Sequence, residues 1–188
     1  MKPKRAKRQA ALVISPVVLR NAAVAVDRMG HDERVQLADE IYLKQPNLLA
    51  SVLVQHQMGA GLPQVEGLLT ILLVAYQAMK LSGHRWPVIS EDTQDVCMQR
   101  LTGKVRFIEG LDPGSIQRAV HQQIEQHSEP YLLAFVFGQL REHDLLGIRT
   151  DVEKYLVLGA LNLAECIAAT ADTNGSHRPA LVVNNAGC

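Results

Sequence analysis

A chain of 188 residues that is 47% hydrophobic but only 4% aromatic is long enough to bury one ordinary core, and that core must be aliphatic. A disulfide scaffold is excluded, because Cys97, Cys166 and Cys188 are odd in number, far apart and free of any C-x-x-C spacing. The formal net charge of +0 conceals an asymmetry: Lys2, Lys4, Arg5, Lys7 and Arg8 lead the chain, and setting those five aside from the 19 basic residues leaves 14 against 19 acidic ones, a body of −5.

Residues 1–14 are therefore expected to form a disordered basic arm, able to contact phosphate backbones, acidic lipids or the body itself. The apolar stretch from Ala10 to Leu19, followed by Ala23-Val24-Ala25, resembles a secretory signal with a small-x-small cleavage site. Ser15, Pro16 and Arg20 interrupt it, and Ser15-Pro16 reads equally as the cap and first residue of a helix. The cytoplasm, with reduced thiols, is the expected location. Secretion is the alternative, in which the Asn174-Gly175-Ser176 sequon would matter.

The first helix is predicted from Pro16 to Met29, with Gly30 as its stop. Asp32 caps a second, reaching about Lys44. Pro46 opens a third, which ends at Gly59-Ala60-Gly61. A fourth runs from Pro63 to Ser82, where Val65, Leu68, Leu69, Leu72, Leu73, Tyr76 and Met79 make an i, i+3, i+4, i+7 stripe and little polar surface lies opposite. A helix apolar on nearly all sides belongs in the middle of a fold. The thirteen residues between Glu66 and Lys80 fall short of the roughly 20 needed to cross hydrocarbon, so no membrane span is expected.

His84-Arg85-Trp86-Pro87 is read as a turn. Ser90 with Glu91 and Asp92 then starts a connector helix of about 90–109, with Gly103 as a point of bending or breakage. Three further helices are predicted, from Pro113 to His127, from Pro130 to His143 and from Asp151 to Ala171, the last opened by the Thr150-Asp151-Val152-Glu153 capping box. On that helix Val152, Tyr155, Leu156, Gly159, Ala160, Leu163 and Ile167 form the apolar stripe, while Glu153, Lys154, Asn162 and Glu165 supply the solvent side. Asn, Gly, Ser and Pro in 172–188 suggest a mobile tail.

Pro46-Asn47-Leu48-Leu49-Ala50-Ser51-Val52-Leu53-Val54-Gln55 recurs as Pro130-Tyr131-Leu132-Leu133-Ala134-Phe135-Val136-Phe137-Gly138-Gln139. The shared frame P-x-L-L-A-x-V-x-x-Q points to an internal duplication. The expected fold is an all-α helical bundle, a single domain over 15–171 built from two similar three-helix units, about 31–83 and 111–171, joined by the connector helix. Leu49, Val52 and Leu53 should then take the places of Leu133, Val136 and Phe137. His56 falls opposite Leu140, and a histidine in an apolar position is expected to be mostly buried and hydrogen-bonded to a backbone carbonyl or a side-chain oxygen.

No phosphate-binding loop, nucleophile elbow or H-E-x-x-H helix is present. His121 and His127 are six apart, the wrong interval for two ligands on one helix face, so neither metal nor cofactor is expected. His84, Arg85 and Trp86 are the leading surface candidates, because Trp and Arg are the residue types most often found at binding hot spots. The leading functional reading is a non-enzymatic protein-interaction or regulatory protein, a homo-oligomer being compatible with it. One alternative is a nucleic-acid-associated regulator that uses the basic arm, and a second is a helical enzyme with a pocket near His56 and Glu165.

Overall fold

The computed structural model describes residues 13–108, 113–146 and 148–175. Its elements are α1 (Pro16–Asp27), α2 (His31–Lys44), α3 (Pro46–Gln57), α4 (Leu62–Leu81), α5 (Glu91–Ile108), α6 (Pro113–Gln126), α7 (Pro130–Glu142) and α8 (Asp151–Gly175). No strand occurs among the described residues. The protein is an all-α helical bundle.

Its centre is the α4–α8 pair. On α4, Leu68, Ile71, Leu72, Ala75, Ala78 and Met79 are each 2% exposed or less, because α1, α2 and α3 pack around it and α7 and α8 reach it from the other half of the chain. Likewise α8 is wrapped by α3, α5 and α7 as well as α4. By length and composition both helices are sufficient to cross a membrane, contrary to the expectation from the thirteen-residue run, and 61% and 72% of their apolar windows are buried inside the protein. Packing by these four helices also overturns the expected solvent face of α8. Glu153 and Asn162 are buried and Glu165 is half-buried, whereas Tyr155, placed on the apolar stripe by its spacing, is 48% exposed.

Other boundaries differ as well. Helix α5 runs unbroken through Gly103, and α8 continues to Gly175 rather than stopping at Ala171, since no proline or cap interrupts it before that glycine. Residues 1–12 of the expected basic arm and residues 176–188 lie outside the described residues, whereas Val13 and Ile14, its last two, are ordered against the body, with Ile14 0% exposed.

Two joints show how sequence sets this arrangement. Ser15 caps α1 by accepting from the Val18 N–H at 3.3 Å, and Ser90 caps α5 by accepting from the Thr93 N–H at 3.2 Å. Each serine follows a Val-Ile pair, Val13-Ile14 and Val88-Ile89, and the isoleucines are 0% and 1% exposed. The backbone of each pair is gripped from across the molecule. Glu129, just before α7, accepts from the N–H groups of Val13 and Ile14 at 2.9 and 3.1 Å. Gln45, just before α3, accepts from the Ile89 N–H at 2.9 Å and donates to the Pro87 carbonyl at 2.8 Å.

The matching therefore reaches beyond the three helices read from sequence, because α5 lies on α8 as α1 lies on α4. The far ends of α3 and α7 also agree. The Ala60 N–H donates to the Gln55 carbonyl at 3.0 Å and the Leu145 N–H to the Leu140 carbonyl at 2.8 Å, with Gly59 and Asp144 both at positive φ. Because α7 has 13 residues and α3 has 12, the buried partner of Leu140 is Gln55, and His56 matches Arg141. This one-residue difference is why the expected burial of His56 fails: the ring is exposed. Leu49 and Val52 are buried like Leu133 and Val136, but Leu53 is 50% exposed where Phe137 is half-buried.

The approach to α8 is tied by charge. Arg149 reaches Glu153 at 2.9 Å and Asp144 at 2.9 Å, while the Glu153 carboxylate also accepts from the Arg149 and Thr150 N–H groups. The hydrogen bond from the Arg149 side chain, together with the backbone donors, holds the Glu153 carboxyl below its ordinary value of 4.5. A depressed carboxyl contributes stability that is fully present above its unfolded value and is lost as pH falls through the folded one. The stability difference between the parent and Arg149→Ala should accordingly be largest near neutral pH and shrink as pH drops below about 4.5, which denaturant midpoints across that range would measure.

Candidate functional site

The residues singled out from sequence do not converge. His84 and Trp86 meet edge to face, with ring centroids 5.1 Å apart. The Trp86 Nε1–H donates to the Met79 carbonyl at 3.0 Å and approaches Ser82 Oγ at 3.2 Å. The indole thus satisfies a carbonyl in the last turn of α4, which has no intrahelical partner, and its half-buried ring closes that end of the bundle. Arg85 is exposed beside it. His56, at the other end of α3, places Nδ1 3.0 Å from the Ala60 carbonyl, one of the two kinds of partner expected for it, although on the surface. Lys2, Lys4, Arg5, Lys7 and Arg8 lie outside the described residues, but the root of their arm at Val13 and Ile14 is fixed by Glu129.

What the fold does assemble is a cleft of about 350 Å3 between the two halves. Val26 and Asp27 at the end of α1, Thr70 and Val74 of α4, and Phe135 and Gln139 of α7 are among its walls. Its rim is polar. Arg34 donates to the Val26 carbonyl at 3.3 Å, and Gln139 donates to Glu142 at 3.0 Å. His143, which follows α7, also lines it, and its ring lies so close to α4 that a Cβ on Gly67 would sit 3.1 Å from a ring carbon. The missing side chain at Gly67 is what lets the imidazole rest against the helix. No motif marks these residues, because they come from four helices, α1, α2, α4 and α7, and meet only through packing.

A second feature lies in the core of the other half. Asn162 donates to the Gln94 carbonyl at 3.2 Å, tying α8 to α5. His127, after α6, accepts the Glu129 N–H on Nδ1 at 3.1 Å and sets Nε2 3.7 Å from Glu165. Gln94 Nε2, Gln123 Nε2, His127 Nε2 and Asn162 Oδ1 are buried with no hydrogen-bond partner among the described residues. In the register set by the two serine caps, α1 carries Leu19 and Ala22 where α5 carries Gln94 and Cys97. Burial, followed by the hydrogen-bonded Cys97 thiol and the charge of Glu165, pushes the Cys166 thiol above its ordinary range, so it stays protonated near neutrality and is a poor nucleophile. No group of three or more His, Cys, Asp and Glu side chains placed to hold a metal ion occurs among the described residues. No protein-family model, curated protein or solved structure matches this chain.

Proposed function

We propose that the protein is a non-enzymatic helical interaction or regulatory module of the cytoplasm, which binds a protein partner through the cleft between α1, α4 and α7. The observation that carries this reading is the cleft itself: about 350 Å3 with an apolar floor of Val26, Val74 and Phe135 and a polar rim, formed jointly by the two halves. A recess of that size, at the lower end of small-molecule pockets, takes an anchoring side chain from a partner surface, and such buried anchors carry most of an interface's energy. We also read the halves as products of a duplication, a reading supported by the paired Val-Ile-Ser leads and their reciprocal grips by Gln45 and Glu129.

Filling the cleft tests the proposal. Thr70→Trp and Gln139→Trp each project an indole into the recess from a side chain at its wall, and each should abolish partner retention while the melting temperature stays within a few degrees of the parent. Asp32→Trp, on the exposed start of α2, should alter neither. Retention that survives both cleft substitutions contradicts the assignment.

A further inference from the structure

We propose that the depression between α6 and α7 is a binding site for a small phosphorylated molecule, gripped by Arg118 and Arg141. This surface measures about 450 Å3 and is separate from the cleft of the preceding section. Arg118 of α6 and Arg141 of α7 both line it, and both are exposed. Among the described residues, the Arg118 side chain hydrogen-bonds the Ser115 hydroxyl, at 3.1 Å. Neither guanidinium is paired with a carboxylate among the described residues. Glu125 on the same wall is met by its helix neighbour His121 at 3.2 Å.

The chemistry of the lining selects the ligand class. A planar guanidinium matches the oxygens of a phosphate with two parallel N–H donors, and two such forks hold one phosphate more tightly than point charges do. Gln117 and Gln122 add amide donors, while the half-buried Val120 and Ile124 provide an apolar wall for the rest of the molecule. The volume lies within the usual range of about 300 to 1,000 Å3 for small-molecule sites. A mononucleotide has this combination of one phosphate and one flat, largely apolar ring system. In the first half the counterpart of Arg141 is His56, a residue without the five-donor fork, so the site belongs to the second half alone.

The test is calorimetry and amide NMR on the full chain with adenosine monophosphate, inorganic phosphate and adenosine as probes. Adenosine monophosphate should bind at one site, with shifts confined to α6 and α7, and inorganic phosphate should compete for it. Arg118→Gln and Arg141→Gln should each weaken binding about tenfold, the loss of one charge-assisted contact, whereas Arg100→Gln, at an exposed position of α5, should leave it unchanged. Since both arginines are exposed, circular dichroism should show both variants folded. Equal binding of adenosine and its monophosphate, no binding of either phosphate probe at millimolar concentration, or unchanged affinity in both variants would overturn the proposal. So would a single-stranded oligonucleotide that binds where the mononucleotide does not.

Discussion

Replacing Glu129 with alanine should lower the stability of the full chain by at least about 1 to 3 kcal/mol, the cost of leaving the buried Ile14 N–H unmet, with a smaller loss from the part-buried Val13 N–H. Glu129 is 2% exposed, and its carboxylate satisfies the N–H groups of both Val13 and Ile14. No water can replace it at Ile14, which is 0% exposed. The carboxylate also lies beside the starts of two helices, α1 and α7, where the helix dipoles favour negative charge. Glu129→Gln keeps one acceptor oxygen but turns an amide N–H toward a backbone N–H, so its loss should fall between parent and alanine. Urea denaturation read with the linear extrapolation would measure all three, and exchange of the Ile14 amide should accelerate in step. A Glu129→Ala variant within about 0.5 kcal/mol of the parent, the range of ordinary surface substitutions, would show that this grip does not hold the halves together.

Leu72→Ala should cost about 2 to 5 kcal/mol, the range for removing a large aliphatic side chain from a packed core. Leu72 is 0% exposed on α4, where helices of both halves meet. For a protein of this size each kcal/mol corresponds to roughly 2 to 4 °C of melting temperature, so the midpoint should fall by about 4 to 20 °C. Leu43→Ala is the natural control, since Leu43 is 75% exposed on α2 and its truncation should move the midpoint by less than about 2 °C.

The helices were legible because period, caps and breakers agree locally. Pro46, Pro130, Ser90 and Thr150 each mark a start within one or two residues of the observed one, and the all-round apolar character of α4 correctly placed it at the centre. On α8 the apolar stripe was legible apart from Tyr155, since Leu156, Ala160, Leu163 and Ile167 are buried, but the polar side was not. Periodicity assigns Asn162 and Glu165 to solvent because polar residues usually face water, but on a helix packed by four others the sides that carry them are covered, and partners such as the Gln94 carbonyl are 68 residues away in sequence. His56 failed for a related reason: aligning the repeated phrase from its proline hides the extra residue of α7. The grips by Gln45 and Glu129 had a signal that was present but unread, the twice-written Val-Ile-Ser before α1 and α5. The α1–α4–α7 cleft had none, since Thr70, Gln139 and His143 share no spacing or motif.

The most direct test of the proposed function is photo-cross-linking in the cell that produces the protein, with p-benzoylphenylalanine placed singly at Thr70, Gln139 or, as the outside control, Asp32. If the cleft between the halves is the functional surface, Thr70 and Gln139 should give the same discrete protein adduct and Asp32 should not. An adduct formed from Asp32 but from neither cleft position would contradict the account.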